Sequence, residues 1–305
     1  MNVHTMQLRP AAPFPQGTAS PADPVTLQRM LTAFNARKLV PALPDSDWYG
    51  QVLDDAEMLA IEGRWLESER QRQAGRAATA PTDPDGFVAW IEALETTGPG
   101  QGDPLFPYLA HEASLDEMRW FLAQEISGEA GFDDLAALTQ IRMPATAKLE
   151  IARNYWDEMG RGNAKGMHGP MLQVLAAALN VKPLADAEVW EAAALANLMA
   201  GLATNRRYAY HSAGALGIIE LTAPGRARQV SIGLRRLGVG PRARHYFDLH
   251  AVLDVKHSEA WNREVFRSLV AGQPETARAL AEGALMRLHC GARCFRRYRA
   301  QFGLA

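Results

Sequence analysis

His250, Asp254 and His257 stand at i, i+4 and i+7 within the stretch from His245 to Trp261. On a helix of 3.6 residues per turn this spacing sets three metal-ligating side chains on one face, one above the other. Two neutral imidazoles and a carboxylate form a mixed nitrogen and oxygen donor set, which suits iron or manganese better than calcium or a thiolate-bound zinc. The same residues also serve as a surface pair or as a satisfied core hydrogen bond, so the metal reading depends on donors from elsewhere in the chain.

Two upstream stretches offer such donors. Glu220 ends a run of small and apolar residues from Ala213 to Ile219. A carboxylate buried there without a partner would cost several kcal/mol or take up a proton, and a metal or a cationic neighbour relieves it. Further back, Glu158 closes one helical stretch, Gly160 and Gly162 turn the chain, and His168 opens the next stretch just before Pro170. Tight glycine turns can bring those two side chains together. A solvated helix end for each of the glutamates, and a cap or core role for His168, are the ordinary readings.

The elements that must position these residues are helices. Apolar residues recur at helical spacing, with almost no alternating pattern of the kind a half-buried strand shows, so the class is all-α. Helices are predicted at about 25–38, 48–76 and 85–96, the second capped from Asp45, Ser46 and Asp47. Others are predicted at about 105–113, 115–130, 132–140, 145–160, 169–180, 186–206, 208–222, 226–237, 241–257, 259–271 and 274–300. Gly238, Gly240 and Pro183, Pro224, Pro241 and Pro274 are read as breaks. The proline-rich segment 1–24 reads as a mobile arm or strap, and Thr97 to Pro104 as a boundary. The expected layout is an arm (1–24), an N-terminal helical extension (25–104) and a main domain (105–305).

Composition narrows the function classes. A formal net charge of -2 over 305 residues, 22% of them charged, excludes a global polycation for nucleic acid and places function in a local site. The chain has no apolar run of 18 residues and no secretory layout at its amino terminus, so a cytoplasmic protein that does not engage membranes is expected. Cys290 and Cys294 are too few for a disulfide framework and read as small buried residues of the last helix.

Taken together, Glu158, then His168 ten residues on, then Glu220, then His250-x-x-x-Asp254-x-x-His257, resemble the ligand pattern of the haem-oxygenase-like diiron oxidases. The turn from Glu158 to Gly162 and the helix from Gly214 to Glu220 are similar to that family's neighbourhoods. The resemblance covers roughly residues 105–300. It implies a haem-oxygenase-like bundle of about seven core helices, here with an extra helical N-terminal region. It also implies two Fe(II)/Fe(III) ions held by Glu158, His168, Glu220, His250, Asp254 and His257, with O2 as co-substrate. Glu158 and His168 would serve chiefly one iron, Glu220 would bridge, and Asp254 would be the least firmly held.

Glu125, Glu129, Asp133 and Asp134 compete for the first-ligand role. With Glu125 as the ligand its imidazole partner would fall at Leu135, so this cluster reads as a solvated helix face and turn. His111, His211 and His245 take no role in the pattern, and His211 reads as a core histidine. Each ligating imidazole is expected to give its second nitrogen to a carboxylate or carbonyl, with Asp157, Asp248 and Glu259 near in sequence. Arg226, Arg228, Arg235, Arg236, Arg242 and Arg244 form the basic concentration. They read either as the solvated side of two helices or as a site for an acidic substrate group, since a guanidinium fork matches a carboxylate.

The resemblance implies oxidation of a small organic substrate, by nitrogen oxygenation of an amine or oxidative carbon–carbon cleavage of an amino or fatty acid, in a biosynthetic pathway. The arginines favour an amino-acid-like or amine substrate, one that can bear a carboxylate, and a homodimer is left open. The rival reading is a metal-free helical bundle, a cofactorless catalyst or small-molecule binding protein, with these histidines in its core.

Overall fold

Asp23 accepts hydrogen bonds from the amides of Val25 and Thr26, and Pro24 fills the first helical position, where a missing N–H leaves nothing unsatisfied; α1 runs Pro24–Leu39. Asp47 caps α2 (Trp48–Ala77) and Asp83 caps α3 (Pro84–Thr97), each by accepting an amide one turn in. There follow α4 (Leu105–His111), α5 (Leu115–Gly128), α6 (Phe132–Thr139), α7 (Ala145–Glu158), α8 (His168–Leu179), α9 (Trp190–Thr204) and α10 (Ala209–Arg236). The chain closes with α11 (His245–Ala260), a π-helical segment (Trp261–Phe266), α12 (Arg267–Gly272) and α13 (Thr276–Gln301). The computed structural model describes residues 23–44, 47–128, 131–181 and 188–304, and among them there is no strand. Residues 1–22 of the expected arm, the expected caps Asp45 and Ser46, Glu129 and Pro183 lie outside the described residues.

α10 runs through the middle of the bundle, packed along α13 on one side and α11 on another, with α4 and α9 across it. Glycines set how close the central pair comes. A Cβ on Gly214 would fall 2.0 Å from the Leu280 carbonyl oxygen, and one on Gly283 would fall 1.9 Å from that of His211. Only a residue without a Cβ permits that crossing. α1 lies on α9, where Asn197 donates to Gln28 and accepts from Asn35, both at 3.0 Å. One apolar core extends from Leu31 and Trp65 through Leu198 and Leu216 to Trp261, Phe266 and Leu285. A second gathers Phe106, Phe121, Leu175, Val230, Phe295 and Tyr298. α1 to α3 are thus built into the same core as α9, α10 and α13.

Two expectations about helix ends need correction. The predicted break at Pro224 is absent: Pro224 is buried inside α10, which continues through it. Proline removes an amide donor and crowds the carbonyl four residues back, here that of Glu220, at a cost of about 3 kcal/mol or more. Burial of α10 against both α11 and α13 offsets that local cost. The helix predicted from 241 begins at His245, and instead of stopping at 257 it passes through the π-helical segment into α12. Among the described residues no helix is long and apolar enough to cross a membrane.

Candidate metal centre

The six candidate ligands come from four helices. Glu158 is the last residue of α7 and His168 the first of α8. Between them the chain reverses through two short 3-10 turns, with Gly160 at φ 59° and Gly162 at φ 83°. A Cβ on Gly160 would lie 2.3 Å from the carbonyl carbon of Gly166, so the loop closes on itself only because position 160 has no side chain. Glu220 sits mid-way along α10, and α11 supplies His250, Asp254 and His257. All but His250, which is half-buried, are buried, between 2% and 7% exposed.

These side chains gather as two trios. Ligand atoms of Glu158, His168 and His250 lie within 4.8 Å of one another, and so do those of Glu220, Asp254 and His257. The division follows from helix geometry. His250 and His257 are seven residues apart, about 10.5 Å along the axis, too far for one ion and well suited to two.

Two of the imidazole nitrogens lie close against carboxylates. His168 Nδ1 is 2.6 Å from Glu158 Oε2, and His257 Nδ1 is 3.4 Å from Glu220 Oε2, yet both nitrogens are buried without a hydrogen-bond partner. The other nitrogens are already engaged. His257 donates Nε2–H to Asp157 at 3.1 Å, and His250 donates Nδ1–H to the Tyr246 carbonyl at 2.7 Å, which leaves His250 Nε2, and His257 Nδ1 once its proton is lost, as the nitrogens a metal could take. Asn154, one turn before Glu158, donates to Glu220 Oε1 at 2.7 Å. Asp157 thus fills the expected carbonyl-or-carboxylate role for His257. Asp248 does not take it for any ligand, being spent on Arg244 and Ser231.

The electrostatics ask for a cation. Burial, and then a neighbouring imidazole, push His168 and His250 down to about 4, so both are neutral near pH 7 as ligands must be. Burial also pulls down His257, but the Glu220 and Asp157 carboxylates outweigh it and hold it at about 9. Glu158 is pushed well above the usual carboxylate range by burial and by the charge of Glu220. An ion between these groups would take up the carboxylate charge and replace the proton on His257. The residues therefore fit a bound metal, and the absence of cysteine from both trios favours iron or manganese over a thiolate-type zinc site.

A cavity of about 170 Å³ opens beside the trios, touched by Glu158, Glu220, His250 and Asp254 and walled by Phe121, Leu172, Met199 and Phe247. Its lining also contains Glu125, Arg226 and Arg287. Glu125 is therefore not on a solvated face. It turns inward with its helix neighbours Phe121 and Leu122, and burial raises its carboxyl above the ordinary range. Of the basic concentration only Arg226 enters the cavity, while Arg228, Arg235, Arg236 and Arg242 are exposed. Arg236 donates to the carbonyls at the end of α4.

Arg287 and Asn154 have no place in the sequence pattern. Arg287 stands among Gly283, Leu288, Cys290, Gly291 and Cys294, but Glu282 and Arg293 beside it leave nothing in the sequence to single it out; Asn154 has no sign short of the packing itself. His211 is buried and bonded to Glu282 at 3.1 Å, away from the trios, while His111 and His245 are exposed. Cys290 and Cys294 are buried free thiols.

Comparison with known proteins bears on the fold and the family. A solved structure described as a domain of unknown function with a heme oxygenase-like fold, from Shewanella denitrificans OS217, superposes with a TM-score of 0.53 at 14% identity, over 71% of this chain and 90% of that one. At that identity the likeness concerns the fold. No curated protein matches the sequence. The family profile described as iron-containing redox enzyme matches residues 119–292, a span that includes both trios and most of the cavity wall. By that match over more than half its length, the chain belongs to the iron-containing redox enzymes, on a haem-oxygenase-like fold.

Proposed function

We propose that this chain is a non-haem diiron oxygenase or oxidase that uses O2 to oxidise a small organic substrate, in the cytoplasm and within a biosynthetic pathway. The observation that carries the reading is the division of six donors, all but one fully buried, into two trios beside one cavity. In this reading Glu158, His168 and His250 hold one iron, and Glu220, Asp254 and His257 hold the other. Three carboxylates would offset three of the four charges of two ferrous ions and leave the centre net positive.

Bound iron would supply the electrons and the open coordination positions that O2 activation needs. The chain's own side chains do the rest. Asp157 and the Tyr246 carbonyl fix which nitrogen of His257 and His250 carries the proton. Asn154 holds Glu220 in one orientation. The apolar wall of Phe121, Leu172, Met199 and Phe247 keeps water from the substrate. The reading covers nitrogen oxygenation of an amine and oxidative carbon–carbon cleavage of an amino or fatty acid.

The test is anaerobic loading with Fe(II), iron quantification, then exposure to O2. About two irons per chain and a transient visible absorption band are expected. Fewer than one iron per chain, with no band, would leave the metal-free bundle as the better account.

A further inference from the structure

The cavity holds more positive charge than a purely apolar substrate needs. Arg226 of α10 and Arg287 of α13 both line it, and no residue of either trio is an arginine or lysine. Burial and the facing Arg287 push the Arg226 guanidinium down to about 9, still charged near pH 7. Guanidinium groups this costly to bury are kept paired, so their partners decide what they are for.

The protein supplies only part of that pairing. Glu125 acts on both through space while taking its hydrogen bond from Tyr298, and Asp254 acts on Arg226 as well. No ion pair within 4.0 Å joins Glu125 to either arginine among the described residues. Arg226 donates Nη2 to Thr222 at 3.1 Å and lies 5.7 Å from the centre of the Phe295 ring. The Nε of Arg287 is buried with no hydrogen-bond partner. Gly291 makes room for this head group: a Cβ there would come 2.9 Å from Arg287 Nη1. Asp254, one of the trio carboxylates, also faces Arg226; with the trio carboxylates taken up by metal, two guanidiniums stand against Glu125 alone, and a single anion entering the cavity closes the balance.

We propose that Arg226 and Arg287 form a carboxylate anchor in the cavity wall, and that the substrate is a small apolar monocarboxylate held there by its acid group with its body toward the two trios. The proposal rests on the diiron reading for the word substrate and for the uptake of the trio carboxylates' charge by metal; the placement of the two guanidiniums in the wall belongs to the protein itself. Size follows from the volume. A cavity of about 150 Å³ takes one benzene-sized molecule, so about 170 Å³ suits a ligand on the order of ten non-hydrogen atoms or fewer. Charge selects against the zwitterion of an amino acid, which brings no net charge and leaves the arginines in excess.

The experiment is calorimetric titration of the full chain, metal-free and Fe(II)-loaded, with hexanoate, hexan-1-ol, hexylamine and 2-aminohexanoate. Hexanoate should bind about 10- to 100-fold more tightly than the alcohol or the amine, the range that hydrogen bonds to charged groups supply. Arg287→Met should remove that advantage while leaving the alcohol's binding unchanged. Because Arg287→Met leaves Glu125 less compensated and can unfold the chain, Glu125→Gln is the second variant: it keeps both guanidiniums and should not weaken hexanoate.

Equal binding of acid and alcohol, unchanged acid binding in Arg287→Met, weaker acid binding in Glu125→Gln, or tighter binding of 2-aminohexanoate than of hexanoate would each overturn the anchor. Binding of hexanoate by protein that takes up no iron would overturn the diiron reading and leave the anchor standing. Iron uptake without selective hexanoate binding would do the reverse.

Discussion

His257 donates Nε2–H to Asp157 Oδ2 across 3.1 Å and so turns Nδ1 toward Glu220. The carboxylate fixes the tautomer and raises the basicity of the nitrogen left free. Asp157→Asn should therefore lower iron affinity at the Glu220, Asp254 and His257 trio by about 10- to 100-fold, with the other trio little changed. Fe(II) titration against a competing chelator reads this directly, and equal affinities in variant and parent would show that Asp157 has no part in orienting the ligand.

His257→Ala should remove one iron and keep the other, because Glu158, His168 and His250 form a separate trio. Anaerobic loading followed by iron quantification should give about one iron per chain instead of about two. An unchanged stoichiometry would count against the assignment of His257.

Iron uptake should depend on pH with a definite sign. In the metal-free chain His257 titrates at about 9, above its ordinary 6.5. A metal must displace that proton, so affinity at this trio should rise about tenfold per pH unit between 6.5 and 9 and level off beyond. The same shift stabilises the metal-free fold fully below pH 6.5 and is lost as pH rises through 9. Thermal unfolding should show the metal-free melting temperature falling over that window. A melting temperature that climbs steadily from pH 6.5 to 9 would contradict it.

Gly160→Ala tests the reversal between α7 and α8. The added methyl would meet the Gly166 backbone at 2.3 Å, at a φ of 59° that L residues adopt at a cost of about 1–2 kcal/mol. The variant should lose at least that much stability. It should also lose iron from the Glu158, His168 and His250 trio, since the loop sets how Glu158 and His168 meet. Full loading at that trio with parental stability would show that the loop tolerates a side chain.

What could be read from the sequence was what is local. His250, Asp254 and His257 share a face because of helix periodicity alone, and Glu158 and His168 are joined by a short glycine turn, so residue order and spacing carry their juxtaposition. The all-α class is legible for the same reason. Glu125 was misread because its acidic neighbours at the α5–α6 turn suggested solvent, whereas its own helical neighbours Phe121 and Leu122 point inward. Pro224 was read as a break because propensity is local, while the packing that carries α10 through it comes from α11 and α13. The pairing of Asn154 with Glu220 and the approach of Arg287 to Arg226 join residues on different helices, which no single-segment pattern records.

Glu220 and Arg226 stand six residues apart on α10, a rise of about 9 Å along one continuous helix. That helix is pinned on both sides, with Gly214 pressed against Leu280 and Gly233 against Leu109. A molecule whose acid group rests on Arg226 is thereby measured against a fixed ruler, and the carbon presented to the trios is selected by its distance from that acid group. Chain length, more than the identity of any one side chain in the wall, would then decide which bond is oxidised.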